Sequence, residues 1–333
     1  MTPDVSAVIV TWNSRDIVLR CLESLAESTD AALEVIVVDN ASTDGTAEAI
    51  SNRPADVRPV RLVRNPTNAG FPKAVNQGLQ MASGPYVLLL NPDVLVGPGS
   101  VDAMLRILKA DPEVGATGPR VRTPEGRVQL QCARRLPSLL DYVAGRFGLS
   151  GLLPHLRLPN RLMTDWDHAD SREVECLSGA CILLRTADLR KLGGLVEEMY
   201  LEDVELCWGV REKLRKRVQY VAEAEAVHHH SVSFHAITDR SQYLWIAEMV
   251  ESSSLKHFAL HSGSVVVAIA RATNVISGLA KLLALSLVTP FLLHRGLRDR
   301  ISKAIYRSYV RLMVGLRGPR FGTTLGRGLA RRA

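Results

Sequence analysis

Val5 to Thr11 is a mostly apolar run closed by a polar cluster, and short runs of this kind alternate with helix-period stretches down the first third of the chain. A short apolar run bounded by polar turns predicts a strand buried on both faces, whereas apolar positions recurring every three to four residues predict an amphipathic helix. On that basis strands are expected over Val5–Thr11, Glu34–Asp39, Val60–Arg64 and Tyr86–Leu90. Helices are expected from an Asn13-Ser14 cap to about Leu25, from Asp44 to about Ile50 and from Gly70 to Met81. Strands alternating with helices imply βαβ units, hence an α/β fold with a doubly wound, mostly parallel sheet.

The regularity then fails. Pro, Gly and Arg crowd the stretch from about Thr123 to Ser171, including Arg134-Arg135-Leu136-Pro137, which predicts a loop-rich excursion. Order returns at Val174–Leu184, followed by a helix-period stretch from Glu202 to about Lys216 and a strand over Val218–Val227 that ends in His228-His229-His230. No internal repeat is visible.

In doubly wound sheets ligands bind beyond the carboxyl ends of the strands, and three of these ends are polar. They are Thr11-Trp12-Asn13-Ser14, Asp39-Asn40-Ala41-Ser42-Thr43-Asp44-Gly45 and Asn91-Pro92-Asp93. Asp39 is placed to accept hydrogen bonds from a base or ribose, while Thr43 and Asp44 suit a helix cap equally well. Asp93, after a turn stiffened by Pro92, could hold Mg²⁺ or Mn²⁺ or be a plain turn residue. Glu202-Asp203 opens a helix, where acids are ordinary dipole partners; alternatively Asp203 is a general base. Of the three histidines His228 is the favoured metal ligand, because it directly follows the strand.

Charge adds a second theme. The net charge is +7, but from residue 261 onward thirteen Lys and Arg face a single acid, Asp299, a local balance of +12 that leaves about −5 on the rest. A nucleic-acid reader carries its basic patch on the folded domain; here it lies on an apolar, helix-like tail, which points to an anionic membrane surface and away from nucleic acid. On a helical wheel Ile276, Leu279, Leu283 and Leu287 share one face, with Arg271, Asn274, Ser277 and Lys281 on another. A second segment sets Ile301, Ile305, Leu312 and Leu316 opposite Arg300, Lys303, Arg307 and Arg311. Because charges interrupt the first segment, it is expected to lie in the interface rather than span; the alternative is packing on the catalytic domain or in a homo-oligomer. The five cysteines lack C-x-x-C spacing and read as reduced core residues, and the start lacks the pattern of a secretory signal, so a cytoplasmic enzyme, peripheral on the inner face of the cell membrane, is expected.

In chain order these pieces resemble family 2 glycosyltransferases of the GT-A fold, especially the bacterial rhamnosyltransferase-like branch. The carriers span about Val5 to Ser233: Val8-Ile9-Val10-Thr11-Trp12-Asn13-Ser14, Val38-Asp39-Asn40-Ala41-Ser42-Thr43-Asp44-Gly45-Thr46, Asn68-Ala69-Gly70-Phe71, Asn91-Pro92-Asp93, Ser178-Gly179-Ala180, Glu202-Asp203-Val204-Glu205-Leu206 and His228. The resemblance implies an inverting, metal-dependent transfer of one sugar, rhamnose among the candidates, from a nucleotide diphosphate sugar to a polyprenyl-linked or envelope-glycan acceptor. Asp203 would be the base, Asp93 and His228 the ligands of Mg²⁺ or Mn²⁺, and Thr11, Asn13, Asp39, Asn68, Gly70, Phe71, Asn91 and Asp93 the donor side. Gly179, Ala180 and Glu202 would face the acceptor. The expected division is a catalytic domain over 1–240, with a nucleotide-sugar half (1–120) and an acceptor half (121–240), followed by a membrane-associating tail over 241–333. The stretch Leu195 to Leu201 is shorter than the aromatic run usual in the family, and the Q-x-x-R-W signature of processive synthases is missing. The rival readings are a nucleotidyltransferase, whose Gly-rich phosphate loop is not seen after the first strand, and a noncatalytic glycan- or lipid-binding module, which would be expected to lack the acids.

Overall fold

The computed structural model describes residues 2–53, 59–156, 158–196, 201–229, 252–288, 310–311 and 313–317. Two compact units emerge, one made of Met1–Leu136 and Leu162–Phe234, the other of Pro137–Arg161 and His235–Ala333. His230, Leu287's side chain and, except for Arg311 and Leu316, the second basic tail segment lie outside the described residues.

The first unit begins as the hydrophobic pattern predicts. β1 (Val5–Thr11), α1 (Arg15–Glu27), β2 (Leu33–Asp39), α2 (Thr46–Ser51), β3 (Val60–Arg64), α3 (Phe71–Met81) and β4 (Tyr86–Leu90) alternate. β1 pairs in parallel with β2 and β4, and β2 with β3, so that Thr11 lies opposite Asp39 and Ile9 opposite Leu90. The rest of the sheet uses β5 (Val94–Val96), β6 (Val114–Arg122), β8 (Arg172–Val174), β10 (Cys181–Arg185) and β11 (Arg217–His228), in the order β3-β2-β1-β4-β10-β6-β11-β5 with β8 on β11. β10 runs antiparallel to both neighbours, and β6 and β11 are again parallel. The sheet is therefore parallel on one side and mixed on the other. β7 (Ala133–Arg134) and β9 (Cys176–Leu177) form a separate antiparallel pair.

Ile9, Leu88, Leu90 and Leu183 of the sheet and Met104 and Leu108 of α4 (Ser100–Ala110) form one buried apolar cluster. α3 lies against β1 because residue 78 is glycine: a Cβ there would stand 2.4 Å from Val8 Cγ1. At the amino end of the strands the Glu34 carboxylate accepts bonds from the Ser83 amide (2.6 Å) and hydroxyl (2.8 Å), the Gly84 amide (3.2 Å) and the Ser6 hydroxyl. Burial works to raise this carboxyl's pKa, but those bonds outweigh it and hold it below the usual range.

Four expectations are corrected. The Thr123–Ser171 excursion is not all loop: it contains α5 (Leu139–Phe147), capped by Ser138 Oγ on the Asp141 amide (3.1 Å), and the short α6 (Leu152–His155). Gly145 and Arg146 had masked the helical period of α5. The Val174–Leu184 run is broken at Ser178–Ala180 into β9 and β10. After α7 (Thr186–Leu192), the helix expected to Lys216 is α8 (Glu202–Trp208) followed by a π-helical turn, Gly209–Lys213, closed by the Leu214 amide on the Gly209 carbonyl. Ser14 stands at the cap position of α1, but its hydroxyl donates to the Trp12 carbonyl (3.1 Å).

In the second unit Tyr142 of α5 packs with Leu255, Phe258, Ala270, Val310 and Val314. Its hydroxyl donates to Asn274 Oδ1 at 2.8 Å on the 25-residue helix Ser264–Val288. The apolar face expected to meet lipid is exposed at Ile276, Leu279 and Leu283, with Val265 and Ile269 beside it, but part of the polar face turns inward, where Asn274 and Ser277 are buried. Its Ser264–Ala284 stretch, although interrupted by Arg271 and Lys281, is long and apolar enough, by length and composition alone, to cross a membrane.

Candidate active site

The polar groups at the carboxyl ends of β1 and β2 are tied into one platform. Asn13, held at φ 49°, donates through its amide to Ser42 Oγ (2.9 Å) and accepts the Thr43 amide at Oδ1 (2.8 Å). Asp44 accepts the Arg15 amide (3.1 Å) and the Thr46 amide (3.0 Å), so of its two readings the turn role is the one built here. The buried Asn40 accepts the Ala69 amide (2.9 Å) and donates to Asn68 Oδ1 (2.8 Å), which also accepts the Gly70 amide (2.9 Å). Gly70 starts α3 at φ 86°, ψ 151°, a conformation essentially reserved for glycine, with open space where a Cβ would stand. Phe71 follows it as the first residue of α3.

Two atoms of this platform are unsatisfied. Thr11 Oγ1 and Asp39 Oδ1, on residues facing each other across the β1–β2 ladder, are buried and have no hydrogen-bond partner among the described residues. Asp39 Oδ2 is engaged with the Ser42 amide at 3.1 Å. Buried orphan acceptors are costly unless something fills them, and a ligand hydroxyl or amine would do so.

At the end of β4 the Asn91 amide donates to the Ala180 carbonyl (2.9 Å), and the chain turns into β5 through Pro92 and Asp93. β5 pairs with the end of β11, with Val94 opposite His228, and this brings His228 Nε2 to 3.2 Å from Asp93 Oδ1. Gln129 orients the ring. Its Nε2 donates to the His228 carbonyl (3.2 Å), so its Oε1, also 3.2 Å from Nδ1, must be the acceptor. Nδ1 therefore carries a hydrogen, and Nε2 faces the carboxylate either as N–H of an imidazolium or as a lone pair sharing a cation with it. The second arrangement fits a divalent ion, for which one carboxylate and one imidazole are suitable donors.

Asp203 sits in the first turn of α8, with Glu202 beside it accepting the Leu201 amide (3.0 Å). Its Oδ2 accepts Arg134 Nη2 at 2.7 Å and the Gly179 amide at 3.2 Å. Glycine at 179 eases this approach, since a Cβ there would lie 3.3 Å from Asp203 Cβ, a tight contact. Burial would lower the Arg134 pKa, but the Asp203 carboxylate beside it more than offsets this and raises it. Gly179 and Ala180 precede β10, whose Cys181 pairs with Leu90 of β4. The Asp93–His228 pair and Asp203 thus both attach to the Asn91–Ala180 junction at the carboxyl end of β4. All five cysteines are buried and none forms a disulfide, and burial pushes the Cys181 thiol up to about 12.

The sequence pattern missed two participants, Arg134 and Gln129. Arg134 carried a signal in the Arg-rich stretch, whereas Gln129 carried none.

Residues 6–193 match the family described as glycosyl transferase family 2. An N-acetylglucosaminyl-diphospho-decaprenol L-rhamnosyltransferase of Mycobacterium tuberculosis is 34% identical over 275 residues, covering 74% of this chain and 85% of that protein. A mannosyltransferase of Pyrobaculum calidifontis, solved with GDP-mannose and Mn²⁺, shares the fold at TM-score 0.54 and 18% identity, over 95% of this chain and 88% of that one. Residues 1–349 of S. aureus TarS, solved with UDP-GlcNAc, match at TM-score 0.51 and 17% identity, over 96% and 93%.

Proposed function

This chain belongs to glycosyl transferase family 2 and is a glycosyltransferase of GT-A fold; from its own site we propose an inverting, metal-dependent transfer of a single sugar from a nucleoside diphosphate donor to a polyprenyl-linked acceptor. The observation that carries this reading is the Asp93–His228 pair, 3.2 Å apart, at the strand end that also anchors Asp203 through Gly179.

Asp39 and Thr11 take the nucleoside, using the two acceptor atoms left unpaired. Asn13 and Asn68 shape the loops around it, and Gly70, Phe71 and Asn91 border the donor. Asp93 and His228 would hold Mg²⁺ or Mn²⁺, which supplies charge neutralisation for the diphosphate leaving group. Asp203 removes the proton from the acceptor hydroxyl as its oxygen bonds to the anomeric carbon; the bond to the diphosphate oxygen breaks on the opposite face, and the configuration inverts. Gly179, Ala180 and Glu202 border the acceptor.

Rhamnose is the proposed sugar and a diphospho-polyprenol glycan the proposed acceptor, because the Mycobacterium tuberculosis relative is named for both. A lipid acceptor also suits the exposed apolar stripe of the helix Ser264–Val288 and the +12 balance beyond residue 261, which fit the inner face of a membrane. The purified chain, given Mn²⁺, a panel of nucleotide diphosphate sugars and an N-acetylglucosaminyl-diphospho-polyprenol, should consume a deoxyhexose donor and lengthen the acceptor by one sugar of inverted anomeric configuration. Release of pyrophosphate from a nucleoside triphosphate, with every sugar donor left intact, would favour the nucleotidyltransferase reading instead.

A further inference from the structure

Arg134 is a deeply buried cation tied to the site. Its side chain is only 10% exposed, and it comes from β7, where it pairs with Cys176 of β9. Nη2 donates to Asp203 Oδ2 (2.7 Å), Nη1 donates to the Gln131 carbonyl (3.0 Å), and the buried Nε has no partner among the described residues. Neighbouring Arg135, just past the strand, pairs instead with the half-exposed Glu175. Arg134 is thus fixed at two ends of a planar fork.

The carboxylate it holds is held on one side only. Oδ2 takes both the guanidinium and the Gly179 amide, while Oδ1 receives no donor among the described residues. Two donors on one oxygen fix the plane of the carboxylate and leave the other oxygen for an incoming hydroxyl. A buried guanidinium suits this task better than an ammonium, because its fork is rigid and it loses little freedom in forming the pair.

We infer that Arg134 is a positioning residue for the transfer: it orients Asp203 so that Oδ1, not Oδ2, meets the acceptor hydroxyl. This rests on the reading of Asp203 as the base. Arg134 touches neither donor nor acceptor in this role, so its loss alters the acceptor step and leaves donor recognition intact. A misplaced base costs about a hundredfold in rate.

The test compares wild type with Arg134→Met, Arg134→Lys, Arg134→Ala and Asp203→Asn, scoring kcat per donor-binding site, donor KM and thermal midpoint. Expected are a kcat about 10²-fold lower in Arg134→Met at unchanged donor KM, partial recovery in Arg134→Lys, and recovery of Arg134→Ala by added methylguanidinium. A purely structural role would lower the thermal midpoint and the number of donor-binding sites without lowering kcat per site, and that result would overturn the inference. Should Arg134→Met not fold, the same split is read on Arg134→Lys, whose wild-type kcat would equally overturn it. Asp203→Asn separates the two claims: activity retained there refutes the base itself, whereas loss of activity there with wild-type kcat in the Arg134 variants refutes only the positioning.

Discussion

His228 Nε2 lies 3.2 Å from Asp93 Oδ1 because β5, the short strand that follows the Asn91-Pro92-Asp93 turn, pairs antiparallel with the last residues of β11. Gln129 turns the imidazole so that its other nitrogen is spent on an amide oxygen. Removing that oxygen frees the ring to rotate. Gln129→Met should weaken Mn²⁺ binding about 10- to 100-fold, read by calorimetric titration of the metal with a nucleoside diphosphate present, while Asp93→Ala should abolish the metal dependence of donor binding altogether.

β4, paired with β1 on one side and β10 on the other, leads directly into this turn. Leu88 is fully buried at the centre of β4, and Leu88→Ala should cost about 2–5 kcal/mol in urea denaturation. An equal change at the exposed Leu279 should cost far less.

Gly70 tests the backbone rather than packing. Nothing lies within 4 Å of a Cβ built there, so Gly70→Ala meets no clash and pays only for φ 86°. The expected loss is about 1–3 kcal/mol of stability, with donor KM raised as the start of α3 shifts.

Glu34 confers acid sensitivity. Its folded carboxyl titrates below the unfolded value of 4.5, so its contribution is complete above that value and is lost as pH falls through the lower, folded one. Unfolding free energy should therefore drop more steeply below about pH 4.5 in the wild type than in Glu34→Gln, with the two slopes converging at neutral pH.

The exposed apolar stripe of the helix Ser264–Val288 predicts lipid contact. Leu279→Glu with Leu283→Glu, both exposed positions, should reduce flotation with anionic vesicles while leaving turnover of a soluble donor unchanged. Undiminished flotation would assign the stripe to protein packing.

The sequence showed β3, which is only half-buried, through its alternation with the helices, and β1, β2 and β4 because each is a largely buried strand ending in a polar turn; both of these signals are local. It showed Asp39, Asp93 and His228 as strand-end residues for the same reason. Strand direction was not visible: Cys181–Arg185 is apolar whichever way it runs, and only pairing with β4 and β6 makes β10 antiparallel. The Arg-rich stretch drew attention to Arg134, but its pairing stayed hidden because its partner is 69 residues further along the chain. The burial of Asn274 was hidden too, since an Asn on a helical wheel reads as solvated until the Tyr142 hydroxyl is found against it.

Asp203→Asn is the most direct measurement, since it keeps the shape of the side chain while removing the base. Donor affinity with Mn²⁺ should stay at the wild-type value while transfer to the acceptor falls about 10²- to 10⁴-fold. Transfer at the wild-type rate in Asp203→Asn would contradict the account.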